Sequence, residues 1–484
     1  MAFIDKTSLR TEFQDLKDQF HAIQSREEVS SEIIILFKSM MMLFEVIISI
    51  FLEKATTKNS KNSSIPPSQT KGLGSTSTNG KSHGKGRKQN SDVFDQVKVV
   101  EEIQTAEVNF CTHCGEDLSG QACCGRERRT LIDIFFEKRV IHVDAEIKDC
   151  PTCDLQTKGW FPSNFRGPLQ YGNGIKVFAI NLFVAQMVSL NRVQKMIQSL
   201  IGKAISEATL LRYVLNLHND LADWESQRIK ELLKSQSMHC DETSMKVNGK
   251  NHWIHVYSSG DTTLKFIHPK RGIEAIEDIG IIPRYKGVII HDCWASYLSY
   301  GNCEHGLCGS HLLRELTFVV ESNNYKWARN MKTLLKETAG KVSKRKRKRL
   351  TNKEYAALQK RYRNILTRGG RELPEIPRKE KTKGRVAKSD AHNLWERFKN
   401  YEESILKFAK LDHVAFTNNR AEQDLRMNKV KQKVSGCFRK SIYAEAYCRI
   451  TSYLKTTANK GINPMIAIQS VLTKSLQEST EGPE

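Results

Sequence analysis

Apolar side chains recur in two registers along the first fifty residues. Leu9, Phe13, Leu16, Phe20 and Ile23 are spaced four and three apart in alternation, the seam of a coiled coil. Ile33 to Leu52 then carry sixteen apolar residues in twenty, a length that could span a bilayer. Lys38 and Glu45 stand near the middle of that run, and each costs roughly 2.5–3.5 kcal/mol at the centre of a membrane helix. We therefore read 1–54 as a helical, coiled-coil arm that joins copies of the chain, with no membrane expected. From 55 to 92 the pattern collapses into Ser, Asn, Gly and Lys, with no acid up to Asn90. Such a stretch buries no core and reads as a basic, flexible linker.

Alternating apolar and polar positions in "RTLIDIFFEKRVIHVDAEIK" predict a β-hairpin inside a module over 93–157. Helical spacing predominates over 158–233. There "LNRVQKMIQSLIGKAISEATLLRYVL" reads as a helix, a turn at Gly202 and a second helix capped by Ser206. This is a candidate helix-turn-helix with Thr209 and Arg212 toward a DNA groove, although plain helical bundles use the same hairpin. "SMHCDETSMKV", "HWIHVYSS", "TTLKFIHP" and "GVIIHDC" are four short strands. From Leu307 the pattern is helical again. A basic helical insertion over about 331–399 contains six consecutive bases, Lys344 to Arg349. A helical element over 441–484, with a turn at "NKGINP", ends the chain.

Charge narrows the partners. A formal net charge of +22 and a pI near 9.4 concentrate polyanions, so nucleic acid or an anionic membrane is the natural partner, with a basic soluble enzyme as the bland alternative. The opening residues do not resemble a secretory signal, which favours the cytoplasm. In a reducing compartment paired cysteines read as metal ligands before disulfides. Cys111 with Cys114, and Cys150 with Cys153, form two CxxC pairs 35 residues apart, a ligand set for structural Zn²⁺. Cys123, Cys124 and His113 leave that set open. Cys303, Cys308 and His311 suggest a second metal site less well than they suggest thiols packed beside a helix.

Two acids sit where strands meet turns. Asp241 reads as the end of an apolar-leaning strand, and Asp292 follows the buried run Gly287 to Ile290. Paired with a third acid from a helix, they could hold two divalent ions roughly 3.5–4 Å apart for in-line phosphoryl transfer. Mg²⁺ (or Mn²⁺) suits an all-oxygen set. The third acid would come from "FTNNRAEQDLRMNKVKQK". Here the bland alternative is a capping box, with Asn419 as N-cap and Glu422 reaching back, or a Glu422–Arg426 pair. Asp424 lies about 200° round a helix from Glu422, so only one faces a given cleft, and Glu422 is the choice. Arg420, Arg426, Lys429, Lys431 and Lys433 would then grip phosphates. His239 and His291 flank the acids and read as packed strand histidines.

Together "HCDET", "GVIIHDCWASYL", "HLLREL" and "NNRAEQDLRMNKVKQKVSGCF" resemble the IS66 family of bacterial insertion-sequence transposases. The resemblance implies a multidomain α+β protein. An RNase H-like α/β catalytic core over 234–440, with its helical insertion, would follow the arm, the zinc-binding module and a helical DNA-binding region. It implies a DDE triad of Asp241, Asp292 and Glu422, separated by 51 and 130 residues. It also implies binding to terminal inverted repeats, cleavage at the ends, joining of the 3′-OH to target DNA, and accessory transposition proteins. The expected location is the bacterial cytoplasm, at the nucleoid. The alternatives are an RNase H-like nuclease without strand transfer and a non-enzymatic zinc DNA-binding protein.

Overall fold

The structure is a computed structural model that describes residues 6–24, 30–54, 56, 58–63, 102–132, 137–165, 167–376 and 388–480. Most of the basic linker, and 377–387 of the insertion, lie outside them. The chain forms two compact units, Met1–Gly84 with Trp224–Ser441 and Lys85–Asp223 with Ile442–Glu484.

The arm is a hairpin of α1 (Lys6–Gln24) and α2 (Ser31–Lys54). Phe20 of the expected seam stacks on Phe37 of the same chain at 5.6 Å, and Lys17 pairs with Glu45 at 3.2 Å. By length and composition α2 is, among the described residues, the one helix that could cross a membrane, with mean hydropathy 2.3. Its last turns dock instead on protein. Ser49 and Leu52 are buried, and the Glu53 carboxylate accepts the N–H groups of Asp390 (2.6 Å) and Ala391 (2.9 Å). The start of the linker docks as well. Lys58 pairs with Asp390 at 2.6 Å, and Asn62 donates to Glu321 at 2.8 Å. The flexible tether expected from residue 55 is therefore anchored at Lys58 and Asn62.

In the second unit each CxxC closes the same kind of turn. Cys111 N–H donates to Glu116 O and Gly115 N–H returns to Cys111 O; Cys150 N–H donates to Leu155 O and Asp154 N–H returns to Cys150 O. Gly115 and Asp154 both take positive φ, 79° and 53°. The hairpin predicted between the pairs is not formed among the described residues, and 133–136 of the segment lie outside them. The segment lacks the Asn-Gly or Asp-Gly turn that fixes a hairpin. Pairing occurs across the second knuckle, where β1 (Ile147–Asp149) meets β2 (Gln156–Lys158) antiparallel. Then come α3 (Asn173–Ile180), a π-turn (Asn181–Ala185), α4 (Leu190–Ile201) and α5 (Glu207–Asp220). Gly202 ends α4 at φ 73°, and Ser206 caps α5 through the Thr209 N–H, as the sequence predicts.

After α6 (Ala222–Leu233) the first unit builds its sheet. Its strands are β3 (Ser237–Val247), β4 (Lys250–Ser259) and β5 (Thr262–His268). After α7 (Ile273–Ile279) come β6 (Val288–His291), α8 (Ala295–Leu298), β7 (Glu304–Leu307) and α9 (Gly309–Asn323). Asn248 and Gly249, both at positive φ, turn β3 into β4, the Asn-Gly hairpin signal. Strand order is β5-β4-β3-β6-β7, antiparallel through the first three, with β6 parallel to β3 and β7 parallel to β6. All four predicted strands are present. β7 is not predicted, because "EHGL" is short and has one apolar residue in four.

Alternation along β3 and β6 sends Met238, Cys240 and Ile289 into one core with Tyr257, Tyr285 and Tyr297. Val288 and Ile290 enter the other core, with Leu312 and Leu316 of α9. That second core continues into α10 (Lys326–Ser343), α11 (Asn352–Glu372), α12 (Asp390–Asn400) and α13 (Glu402–Lys410), through Trp327, Tyr362 and Phe398. The insertion thus shares the core of the sheet's face. Lys344–Arg349 form the mostly exposed turn between α10 and α11. α14 (Asn419–Ser435) lies along β3. α15 (Ser441–Asn459) and α16 (Pro464–Thr480) follow, and α16 packs on α3 and α5.

Candidate active site

The parallel register of β3 and β6 pairs Ser237 with Val288 and His239 with Ile290. Two residues further along each strand stand Asp241 and Asp292. Because side chains alternate, both acids belong to the face opposite Cys240 and Ile289. Asp241 is not at a strand end, as the sequence suggested: β3 runs on to Val247, and only its pairing with β6 stops at His239. Asp292 follows β6 directly, accepts the Trp294 N–H at 3.1 Å, and precedes Cys293, held at φ 72°. A non-glycine residue in that left-handed region marks a tight, strained turn.

Both ends of α14 are tied to β3. At its start Asn418, 1 % exposed, donates to Cys240 O at 2.7 Å and meets His239 Nδ1 through Oδ1 at 2.9 Å; its own N–H donates to Cys308 Sγ at 3.2 Å. Beyond its end Phe438 bonds to Lys246 and Asn248. Asn418 is the N-cap, with its side chain spent on the strand, so the capping box on Asn419 and Glu422 does not form. Glu422 lies one turn in, its Oε1 3.8 Å from His311 Nδ1. Asp424 turns away to accept from Ser258 Oγ (2.7 Å) and Thr263 Oγ1 (2.9 Å).

Burial, then Glu242, then Asp292 push the Asp241 carboxyl well above the ordinary range, and Glu422 adds to the shift. These acids therefore share one field. A half-buried carboxylate cluster of this kind fits a hard divalent cation, which removes the repulsion. Glu422 Oε1 is buried without a hydrogen-bond partner, which also fits a ligand role. The three acids do not close to the tightest spacing. Among the described residues the group with donor atoms within 4.8 Å of one another is Cys308, His311 and Glu422. Sequence reasoning had joined Cys308 and His311 to Cys303, which instead packs in the opposite core. The four knuckle cysteines form no such group.

Sequence reasoning also missed the support behind the acids. Glu242, on the reverse face of β3, pairs with Arg271 at 2.6 Å and accepts from Tyr297 Oη at 2.6 Å. The Arg271 guanidinium lies 4.8 Å from the Trp253 ring and 4.4 Å from the Trp294 ring, a cation–π sandwich. Alternation within "CDET" could have separated Asp241 from Glu242. The histidines are packed as expected: His291 is fully buried against His305, and His239 is bound by Asn418.

The basic residues of α14 divide. Arg426 and Lys433 are exposed. Arg420 bonds to Gly260 O and Thr262 O, and Lys429 donates to Ser244 O at 2.8 Å and Oγ at 2.9 Å. Lys431 is 2 % exposed, and burial pulls its pKa down to about 8. It offers no contact to a phosphate, which corrects the sequence reading. Helical period explains this, since Ala421, Asp424, Asn428 and Lys431 fall on the face turned to the sheet. In the second unit Arg212 is exposed, while Thr209 is half-buried and bonded to Ser206.

A search of curated proteins finds no match. A family model described as the IS66 family of transposases matches residues 169–446. The match takes in Asp241, Asp292 and Glu422 and leaves the arm and the CxxC pairs outside. It covers more than half of the chain, and the chain belongs to the IS66 family of transposases.

Proposed function

We propose that this transposase is an RNase H-like DDE enzyme that cuts DNA at the terminal inverted repeats of an insertion sequence and joins the freed 3′-OH to target DNA. The observation that carries the reading is the shared register of Asp241 and Asp292 on parallel strands, with Glu422 brought alongside by α14. The strand order β5-β4-β3-β6-β7, three antiparallel strands followed by two parallel ones, supports the RNase H-like assignment.

Asp241, Asp292 and Glu422 would hold Mg²⁺ (or Mn²⁺), which when bound polarises phosphate oxygens and lowers the pKa of water. In the first step water oxygen bonds to phosphorus and the P–O3′ bond breaks, leaving a 3′-OH. In the second that 3′-OH bonds to a target phosphorus and displaces a target 3′-OH, so the number of phosphodiester bonds is conserved. Asn418 fixes the start of α14, and Arg426 and Lys433 would bind phosphates. Cys111, Cys114, Cys150 and Cys153 would hold structural Zn²⁺, a role supported by their two matching turns. Thr209 and Arg212 would read DNA, and the exposed apolar side of the arm would join copies of the chain. Accessory transposition proteins and a cytoplasmic, nucleoid-associated location complete the proposal.

Labelled terminal-repeat DNA incubated with Mg²⁺ should give nicked ends and joined products. Asp241→Asn, Asp292→Asn and Glu422→Gln should each abolish both while DNA binding persists. Nicks without joined products would identify a nuclease instead. Full function in all three variants would identify a non-enzymatic DNA-binding protein.

A further inference from the structure

Beside Glu422 stand a thiol and an imidazole, those of Cys308 and His311. Cys308 stands immediately before α9 and His311 lies in its first turn, so one short stretch, "CGSH", supplies a sulfur and a nitrogen. Their donor atoms and a Glu422 oxygen lie within 4.8 Å of one another. Donors on one tetrahedral ion sit roughly 3.3–3.7 Å apart when bond lengths are about 2.0–2.3 Å, so a small inward movement closes the set.

Three observations point to a ligand. His311 Nδ1 and Glu422 Oε1 are both buried without a hydrogen-bond partner, and at 3.8 Å they are too far apart to satisfy one another. Unmade bonds of this kind are costly. Cys308 Sγ accepts the Asn418 N–H at 3.2 Å, the outer contact that stabilises a coordinated thiolate. Side-chain exposure falls from 28 % at Glu422 to 16 % at His311, and Cys308 is 1 % exposed. An ion therefore reaches the thiol from the side of the acids.

We propose that Cys308, His311 and Glu422 form a second cation site, selective for zinc-class ions, whose occupancy withdraws Glu422 from the all-oxygen set. Sulfur and imidazole nitrogen select Zn²⁺ or Co²⁺, whereas Mg²⁺ takes oxygen donors. On binding, the Cys308 proton passes to solvent and the thiolate bonds to the ion, with no change of oxidation state. Competition for one carboxylate makes the site inhibitory. That second half rests on the proposed role of Glu422; the binding itself does not.

Co²⁺ titrated into the full-length protein reads the site without DNA, through bound equivalents and the thiolate-to-cobalt absorption band. Wild type should bind one equivalent more than Cys308→Ser and one more than His311→Ala. Cys303→Ser, which removes a thiol in the opposite core, should match wild type, and the CxxC pairs, present in every variant, cancel in the difference. Equal stoichiometry in wild type, Cys308→Ser and His311→Ala overturns the site. Zn²⁺ added to Mg²⁺-supported cleavage should inhibit wild type at a concentration about tenfold or more below that needed for His311→Ala, each relative to its own activity in Mg²⁺. Equal sensitivity overturns the inhibitory role. If no cleavage occurs in Mg²⁺ at all, the transposition chemistry fails and the Co²⁺ count alone decides the site.

Discussion

Two carboxylates two residues apart on α14 do opposite things. Glu422 touches no strand hydroxyl, while Asp424 holds Ser258 and Thr263 beneath the helix. Asp424→Ala should therefore lower stability by roughly 2–4 kcal/mol, since two buried hydroxyls lose a charged acceptor. Glu422→Gln should cost less than about 1 kcal/mol while removing cleavage. Urea unfolding of both variants checks the contrast, and a larger loss in Glu422→Gln would reverse the assignment. Arg271→Ala should cost roughly 2–3 kcal/mol in the same assay. It leaves Glu242 buried without its cation, though the half-exposed arginine moderates the full penalty of a broken buried pair. That Glu422 and Asp424 face different ways was legible in the sequence, because helical period alone separates them. The burial of Lys431 was not, since the apolar residues of α14 at helical spacing, Met427, Val430 and Val434, stay exposed and no apolar stripe marks its inner face.

At the scale of the element, α9 depends on having no side chain at its first residue. A Cβ on Gly309 would fall within the ring of Phe416, whose carbonyl accepts the Gly309 N–H at 2.7 Å. Gly309→Ala should cost about 1–3 kcal/mol by overpacking and should lower cleavage through displacement of α9 against α14, measurable as a fall in Tm and in kcat. An unchanged Tm would mean the ring moves aside freely. The strands β3 to β6 could be read from alternation and from the Asn248-Gly249 turn. β7 could not, because "EHGL" lacks the apolar run that marks the equally short β6. The docking of α2 was hidden for another reason. Its burial is confined to the last turns, where Glu53 caps the helix that begins at Asp390. Nothing local in "ISIFLEK" announces a partner more than three hundred residues away.

Across the whole molecule, acid should weaken the unit that contains α5 and α15. His218 is 8 % exposed; burial, then the charge of Arg449, hold its pKa down at about 4 against an ordinary 6.5. Arg449 Nη1 lies 3.2 Å from its ring nitrogens and 3.0 Å from its carbonyl oxygen. The unfolded chain binds this proton below about pH 6.5 and the folded chain only near pH 4. Stability thus falls as pH drops through that window, by up to about 3 kcal/mol. His218→Gln should flatten this part of the profile in urea unfolding between pH 7 and 4.5. A slope identical to wild type would refute it. The candidate site, too, is a long-range construction. Residues spaced 51 and 130 apart meet only when α14 lies down on β3, and "CGSH" gains its carboxylate from more than a hundred residues downstream. Closing so long a loop is slow relative to local structure. During synthesis Asp241 and Asp292 therefore emerge well before Glu422, which completes the candidate site. On the proposed mechanism cutting must wait until α14 has emerged and folded back onto β3, so an interrupted translation should yield a protein that cannot cleave.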